Sequence, residues 1–408
     1  MRWPVLFAIT LASVAAEVNG IAVTGIDTPA MSSFDRIITA LMRKYDVPGG
    51  QVTVAKAGKI VFAHGYGFAD REANQLVEPN SLFRIASLSK PFTAVTVLKL
   101  VEMGKLRLDD KPFPLLGLAP PHGGKPDPRL ANITIRELLQ HTGGWDRDIA
   151  FDPMFIPIKA ATALGAPAPA SCETIIRYML GQPLQHDPGT IYAYSNFGYC
   201  VLGRVIEKVT GQSYEQYVRN EILSPMGIHD MHTGHTFLDQ RFSNEVKYYD
   251  FPGASEVNSV FPRRPGKVPE PYGGFYLEAM DSHGAWIASG TDLLRFMLHV
   301  DGRMEPVPLK PATVREMLAM PDRVVRKDPE VWYGMGWQVR HEGNDANWWH
   351  TGSLPGTTTI LVRTWQGMHW AALFNTRPKS SAFAAELDIA LWKAAGEVRE
   401  WPSREITR

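Results

Sequence analysis

The sequence predicts an α/β (α+β) fold in which an antiparallel sheet, flanked by helices, is built from both termini around an inserted, mostly helical domain. Strand-like runs occur near both ends of the chain, and the middle is helical and rich in loops. We therefore expect a discontinuous α/β domain over 30–105 and 274–400, and an inserted domain over 106–273. With 408 residues, 45% of them hydrophobic, the chain can bury a large core.

The first elements are a helix and a hairpin. Residues 33–46 carry an apolar stripe at helical spacing. Two strand-like runs, 50–55 and 59–63, follow and are joined by a short turn in which Gly58 supplies a positive φ. The chain is therefore expected to begin with a helix and an antiparallel hairpin.

The central region alternates helices with irregular segments. Helical patterns are predicted at 87–104, 133–140, 172–181, 198–210 and 213–223. The first of these is apolar on most sides and is expected to be buried. Stretches rich in Pro, Gly or Ala are predicted loops at 112–131, 150–170 and 250–273, and the second is a candidate lid.

The C-terminal region returns to strands. Strand-like runs lie at 274–278, 332–340, 345–350, 358–364 and 368–375. One helix is predicted at 291–300, between the first two runs, and a final helix at 381–397. These strands are expected to join the N-terminal hairpin in one sheet.

The N-terminal residues and the charge balance bear on location and partners. Residues 1–16 have the pattern of a signal peptide, with a positive start at Arg2, an apolar run and small residues up to Ala16. We expect a periplasmic or secreted protein with no stable membrane span after signal removal. The 42 basic and 42 acidic side chains cancel, which argues against nucleic acid as a partner.

Only two cysteines are present, Cys172 and Cys200. An exported location permits a disulfide. However, Cys200 lies in an apolar run, in which a buried free thiol behaves as a small hydrophobe. We favour two unpaired cysteines and keep a disulfide as the alternative.

The first candidate catalytic pair is Ser87 and Lys90. Three residues apart on a helix, the two side chains lie on one face. The helix N-terminus stabilises an oxyanion, and burial in an apolar helix lowers the pKa of an ammonium group. A neutral Lys90 can then accept the proton of Ser87 as the hydroxyl attacks. The alternative is an ordinary capped helix.

Two further segments carry candidate site residues. In the first, Tyr194 is expected to share a proton with Lys90, and Asn196 to offer its amide to a substrate carbonyl or, alternatively, to cap the next helix. In the second, a strand arrives at His350 and continues into a Gly/Pro turn. The candidate residues of this second segment are His350, Thr351, Gly352 and Ser353.

Backbone groups are expected to complete the site. Gly352 lets a substrate approach the backbone. The N–H groups of Ser353 and Ser87 are expected to form the two halves of an oxyanion hole. A second His-Thr-Gly triplet begins at His141 and follows a helix, so we assign it to loop structure, with a role in the pocket wall as the alternative.

In this order, the three segments resemble the S-x-x-K, Y-x-N and K/H-T/S-G motifs of the serine β-lactamase and penicillin-binding-protein-like superfamily. The resemblance spans 33–397, and the segments 83–87 and 188–190 are similar to its class C β-lactamase, D,D-carboxypeptidase and family VIII esterase branch. It implies that Ser87 forms an acyl-enzyme, that Lys90 and Tyr194 relay protons, and that water releases the acyl group.

The sequence departs from the β-lactamase pattern in two ways. Class C β-lactamases usually carry Lys where His350 stands, and no E-x-x-L-N segment is present. The resemblance therefore implies an exported serine hydrolase that cleaves a small ester or amide, of carboxylesterase or D-amino-acid peptidase type. The alternatives are a β-lactamase and, from another class, a catalytically silent binding or scaffold protein.

No metal or other cofactor is expected. His229, His232 and His235 are spaced by three, but they lie in a loop-like stretch with only Asp230 as a nearby carboxylate, so we do not predict a metal site. The expected partner is a small ester, amide or peptide, and the oligomeric state is not predicted. A substrate carboxylate would require an arginine near Thr351, and several arginines are candidates.

Overall fold

The structure, a computed structural model, describes residues 16–322, 324–325 and 328–406. Its strands in that part of the chain are β1 (Ala16–Val18), β2 (Ile21–Gly25), β3 (Gly49–Lys56), β4 (Lys59–Asp70), β5 (Gln75–Leu76), β6 (Phe83–Arg84), β7 (His232–Thr233), β8 (Val257–Asn258), β9 (Lys267–Val268), β10 (Trp286–Ala288), β11 (Val331–Tyr333), β12 (Gln338–Glu342), β13 (Asp345–Leu354), β14 (Thr357–Arg363) and β15 (Met368–Phe374). Its α-helices are α1 (Ser32–Lys44), α2 (Ser89–Glu102), α3 (Pro112–Leu116), α4 (Ile135–Leu139), α5 (Pro157–Leu164), α6 (Cys172–Met179), α7 (Asn196–Thr210), α8 (Tyr214–Val218), α9 (Gly290–Val300), α10 (Pro311–Leu318) and α11 (Ala382–Glu397).

One large antiparallel sheet draws strands from both ends of the chain. Its order is β1-β2-β4-β3-β15-β14-β13-β12-β11, with β5 paired to β4. The two ends meet where β3 pairs with β15, with Val52 opposite Ala372. The predicted fold class, an antiparallel sheet built from both termini and flanked by helices, is confirmed.

Helices cover both faces of the sheet, because side chains alternate between the faces along each strand. On one face, α1 and α11 pack against Ile360 and Ala372. On the other face, Leu361 and Ala371 belong to a larger core that also contains α2, α7 and α9. The α2 helix is buried nearly all round, as its apolar sequence predicts.

A disulfide joins Cys172 to Cys200, so the preference for two unpaired cysteines was wrong. Cys172 begins α6 and Cys200 lies within α7. These two helices pack side by side and bring the two Cα atoms to 6.2 Å. That distance is typical of disulfides and depends on tertiary packing, which the local apolar sequence does not report.

Several predicted elements differ from the structure. Residues 274–278 are not a strand, because a 3-10 turn, Leu277–Met280, occupies the end of this stretch, and the strand of this region is β10. The predicted run 332–340 is two strands separated by a turn at Gly336, whose φ is +88°. The stretch 150–170, predicted as a loop, contains α5, which begins at a proline in the position a helix start tolerates.

The predicted signal peptide and the predicted domain division both remain predictions. The predicted signal peptide falls on residues 1–15, which lie outside the described residues, and on Ala16, which begins β1. The division into a discontinuous domain and an insertion at 106–273 also remains a prediction. None of the helices in the described part of the chain is both long and apolar enough to cross a membrane.

Candidate active site

Ser87 lies in a tight turn that leads into α2. A 3-10 turn, Ala86–Leu88, precedes the helix, and Ala86 has a positive φ of 49°, which is unfavourable for a residue with a Cβ. The turn is held against the sheet, since the hydroxyl of Thr359 donates a hydrogen bond to the carbonyl of Ile85 (3.0 Å). Ser87 is thus presented at the start of α2 by a strained segment fixed to β14.

Lys90 lies one turn further along and is fully buried. Its Nζ donates to Ser87 Oγ (3.1 Å), to Asn196 Oδ1 (2.8 Å) and to the carbonyl of His283 (2.9 Å). None of these three acceptors is a carboxylate. Burial therefore holds the pKa of Lys90 well below its ordinary value, and the nearby Arg147 lowers this pKa further.

Asn196 connects Lys90 to a carboxylate. Its Oδ1 accepts from Lys90, and its Nδ2 donates to Asp152 Oδ2 (2.7 Å). The negative charge of Asp152 raises the pKa of Lys90, against the effects of burial and Arg147. Helix α7 begins at Asn196 but is capped by Ser195, whose hydroxyl accepts from the N–H of Gly198. The amide of Asn196 is therefore free of a capping role.

Tyr194 lies close to the Lys90 amine and the Arg147 guanidinium. Its ring centroid is 4.8 Å from Lys90 Nζ and 4.8 Å from Arg147 Cζ. Its buried hydroxyl has no hydrogen-bond partner among the described residues, although Ser87 is near enough to lower its pKa. Burial outweighs this effect and raises the pKa of Tyr194 well above its ordinary value. At neutral pH Tyr194 is therefore a phenol that can donate its proton.

The second His-Thr-Gly triplet supports the Tyr194 segment. His141 accepts the N–H of Ala193 on its carbonyl (2.9 Å) and the N–H of Ser195 on Nδ1 (3.2 Å). Its ring lies 4.3 Å, centroid to centroid, from that of Tyr194. His141 thus fixes the backbone on both sides of Tyr194 from below the pocket.

His350 is held neutral in one tautomer. Its Nδ1 lies 2.7 Å from the carbonyl of Thr351, which can only accept, so Nδ1 carries the hydrogen. Its Nε2 therefore accepts from the hydroxyl of Tyr333 (2.9 Å). Burial and the charge of Lys90 lower the pKa of His350 to about 3. The imidazole is consequently an uncharged, doubly hydrogen-bonded group at neutral pH.

The end of β13 forms the rim of the site. β12 pairs with β13 only as far as Trp349, so the residues that follow face the cleft on that side. Thr351 and Ser353 line the cleft, and Gly352 lies against the Ser87 turn. A Cβ on Gly352 would lie 2.3 Å from the carbonyl oxygen of Ile85, so only glycine permits this approach.

These elements surround one cleft of about 510 Å³. Ser87, Tyr194, Asn196, His350, Thr351 and Ser353 line it, and Lys90 lies beneath Ser87. Arg147 and Arg377 both line this cleft together with Thr351, and which of them would meet a substrate carboxylate stays a prediction. The geometry thus brings the three sequence segments together around Ser87.

Sequence reasoning missed four residues of this site: Arg147, Asp152, His283 and Tyr333. The first two lie near or within the predicted loop at 150–170, and His283 contributes through its carbonyl, which no residue type reveals. Tyr333 lies in the predicted strand 332–340, which by itself assigns it no role in the site. A Tyr followed by a Gly-Met-Gly turn just before a strand was the available signal.

Two of the three histidines spaced by three residues, His232 and His235, contact an aromatic ring. The rings of His232 and His235 both stack on Phe242. Within the described residues no group of three or more His, Cys, Asp or Glu side chains is arranged to hold a metal ion.

A serine in a strained turn next to a buried lysine, with a tyrosine and a His-Thr-Gly strand edge, is the arrangement expected of a serine acyl-transfer site on this fold. The model of the Beta-lactamase family matches residues 34–391, and the chain belongs to that family of serine hydrolases. The family resemblance that the sequence motifs indicate is therefore confirmed.

Individual relatives agree with this assignment. Penicillin-binding protein 4* of Bacillus subtilis (strain 168) is 28% identical over 321 residues, 77% of this chain and 65% of the relative. Among solved structures, D-amino acid amidase from Ochrobactrum anthropi SV3 has a TM-score of 0.69 at 21% identity, covering 91% and 99% of the two chains. EstCE1, a hydrolase with promiscuous acyltransferase activity, has a TM-score of 0.67 at 21% identity, covering 90% and 100%. The chain spans 44% to 65% of the length of the first curated relatives that it matches.

Proposed function

We propose that this protein is a serine hydrolase that cleaves a small ester or amide through an acyl-enzyme on Ser87. The observation that carries the proposal is the 3.1 Å hydrogen bond between Ser87 Oγ and a fully buried Lys90 whose pKa is well below its ordinary value. A neutral amine at this distance is a general base for the serine hydroxyl.

Acylation follows from the contacts around Ser87. The hydroxyl oxygen attacks the substrate carbonyl carbon while its proton moves to Lys90 Nζ, and the C–O π electrons move to the carbonyl oxygen. The negative oxygen is stabilised by the N–H groups of Ser87 and Ser353, which we propose as the oxyanion hole. Collapse of this intermediate breaks the bond to the leaving group and leaves the acyl group on Ser87.

Protonation of the leaving group is assigned to Tyr194. Its phenol is buried, holds its proton at neutral pH and has no other hydrogen-bond partner. The resulting phenolate is flanked by two cations, Arg147 and the newly protonated Lys90, which stabilise it. Lys90 then returns a proton to Tyr194, and a water molecule releases the acyl group by the reverse sequence.

We infer that His350 holds the groups around it in place and does not transfer a proton during the reaction. Both of its ring nitrogens are occupied, one by Tyr333 and the other by the carbonyl of Thr351. The imidazole adds no positive charge where class C β-lactamases usually have a lysine. We therefore keep carboxylesterase or D-amino-acid peptidase activity ahead of β-lactamase activity, which remains the alternative within the family.

The cleft favours a substrate that carries an anionic group. Arg147 is partly neutralised by Asp152 at 3.8 Å, and Arg377 by Glu270 at 3.7 Å, so both guanidinium groups keep donors for a ligand. A peptide substrate with a free C-terminal carboxylate satisfies such a donor, and a neutral ester does not. The structural neighbours, a D-amino acid amidase and a hydrolase with promiscuous acyltransferase activity, are compatible with both an ester and an amide as the substrate.

Labelling separates an enzyme from a silent scaffold. A fluorophosphonate probe should label the wild-type protein and fail to label Ser87→Ala. Absence of labelling in the wild type contradicts the proposal and favours a binding or scaffold role. A turnover panel of p-nitrophenyl esters, nitrocefin and D-Ala-D-Ala peptides then ranks the substrate classes, and nitrocefin as the best substrate would favour the β-lactamase alternative.

We also propose that the protein is exported. The support is the sequence pattern of residues 1–16, and the disulfide agrees with an oxidising compartment. Mass spectrometry of the protein secreted or released from the periplasm should find a chain that starts at or shortly after residue 17. A full-length chain retained in the cytoplasm contradicts export.

A further inference from the structure

A second cavity, of about 270 Å³, lies on the sheet face opposite the large helical core. It opens between α11 and the strands β12, β13 and β14. We call it the tryptophan groove. Its walls are Arg340, Asn347, Trp349, Thr351, Ile360, Val362, Ala384, Ala385, Asp388 and Trp392.

The groove is open because the helix presents small side chains toward it. Positions 384 and 385 are alanines, whereas Asp388 and Trp392 follow at spacings of one turn on the same face of α11. Trp392 is fixed edge-on against the buried Trp370, with ring centroids 4.9 Å apart. The indole of Trp392 is thereby held as a rigid end wall.

The strand side supplies a second indole. Trp349 is only partly buried, and in β13 it lies opposite Val362 of β14, so its neighbours on the groove floor are apolar. Trp349 and Trp392 both line the groove without meeting at ring-contact distance. The space between these two aromatic side chains is therefore available to a ligand.

The charge inside the groove is negative. Asp388 makes no hydrogen bond or ion pair among the described residues, and its partial burial raises the pKa of its carboxyl group. The cation that lines the groove is Arg340, which lowers the pKa of Asp388 through space but hydrogen-bonds Glu342 instead (Nε to Oε1, 3.0 Å). The charge of Arg340 is thus shared between Glu342 and Asp388, so these three groups leave one net negative charge at the groove.

We propose that the tryptophan groove binds a small organic cation, an ammonium group on an apolar body. Indole faces attract cations, and the half-buried carboxylate of Asp388, which makes no hydrogen bond among the described residues, adds directional attraction. An anion would meet Asp388, and a neutral ligand would leave its charge uncompensated. This inference is independent of the proposed hydrolase activity, although Thr351 lines both the groove and the catalytic cleft.

Binding of choline and of its uncharged isostere, 3,3-dimethylbutan-1-ol, tests the proposal. Isothermal titration on the Ser87→Ala variant, which removes any turnover, should find that choline binds and that the isostere binds at least about tenfold more weakly. Asp388→Asn should weaken choline binding by a similar factor. Trp392→Leu should weaken it as well, and thermal melting verifies that each variant is folded.

A matched variant locates the site. Asp148 lines a separate cavity beside Tyr192 that also combines aromatic and acidic side chains. Asp148→Asn should leave choline binding unchanged. Equal affinity for choline and the isostere overturns the proposal. So does absence of choline binding, or choline binding that survives both Asp388→Asn and Trp392→Leu.

Discussion

The substitution Gly352→Ala tests the close packing of β13 against the turn that carries Ser87, the proposed nucleophile. An alanine Cβ would lie 2.2 Å from Thr359 Oγ1, 2.3 Å from the carbonyl oxygen of Ile85 and 3.1 Å from the Cβ of Ala86. Two of these atoms belong to the contact that holds the turn in front of Ser87, because Thr359 donates to that same carbonyl. The substitution therefore strains the turn directly.

The size of the effect follows from these distances. Real Cβ atoms essentially never approach a neighbour closer than 3.0 Å, so the Ile85 carbonyl must move by at least about 0.7 Å. Overpacking of this kind costs about 1–3 kcal/mol of stability. A misplacement approaching 1 Å at a catalytic group lowers the rate by about 100-fold. We expect kcat/KM to fall about 100-fold. The free energy of unfolding should fall by about 1–3 kcal/mol.

The assay is steady-state hydrolysis of a p-nitrophenyl ester, with thermal melting of the same samples. The control is Gly396→Ala in α11, where a Cβ would meet nothing within 4 Å. This change should leave kcat/KM unaffected and stabilise the helix by up to about 1 kcal/mol. If Gly352→Ala keeps kcat/KM within about threefold of wild type, the turn does not depend on this contact and the reasoning is refuted.

Three further predictions concern charge, tautomer and cross-link. Asp152→Asn removes the charge that raises the pKa of Lys90, so the acidic limb of the kcat/KM–pH profile should move to lower pH, because less alkaline solution then suffices to deprotonate the amine; an upward move contradicts this assignment. Tyr333→Phe removes the donor to His350 Nε2 and should lower kcat about tenfold, for the loss of roughly 1–1.5 kcal/mol of orientation, with KM little changed; unchanged kcat removes Tyr333 from the site. Cys172→Ala opens a loop closed across 28 residues, and urea unfolding should find a loss of about 3–4 kcal/mol, which reduced wild type should reproduce; equal stability of wild type and variant would contradict it.

The fold class was predictable because its evidence is local. The strand-like runs at 50–55, 358–364 and 368–375 are rich in apolar and β-branched or aromatic residues, which indicates buried strands. Their presence near both ends of the chain predicts one sheet that contains strands from both ends. In the structure β3 and β15 pair within this sheet. The boundaries were less certain, since Gly336 interrupts a run that reads as one continuous strand.

The candidate site was predictable where a residue's type states its chemistry. Ser87, Lys90 and Tyr194 stand out as a nucleophile and two proton carriers at motif spacing. The pattern could not reveal partners that are brought close only by folding. Asp152 lies in a segment without periodicity, and its hydrogen bond to Asn196 spans 44 positions.

The protonation states depend on burial, which the sequence reports poorly. A histidine in a His-Thr-Gly triplet suggests a proton carrier, yet His350 is neutral because it is fully buried and bonded at both nitrogens. The disulfide was missed for a related reason, since the apolar run around Cys200 describes a buried residue equally well with or without a cross-link.

The central claim is that Ser87 becomes acylated with a neutral Lys90 as its base. Intact-mass spectrometry after rapid mixing with a p-nitrophenyl ester measures this directly. The account predicts one acyl mass increment on wild type, mapped to the peptide containing Ser87, no increment on Ser87→Ala, and strongly slowed acylation on Lys90→Met, which keeps the apolar stem but lacks the amine. An increment on another residue, or acylation of Lys90→Met at the wild-type rate, would contradict it.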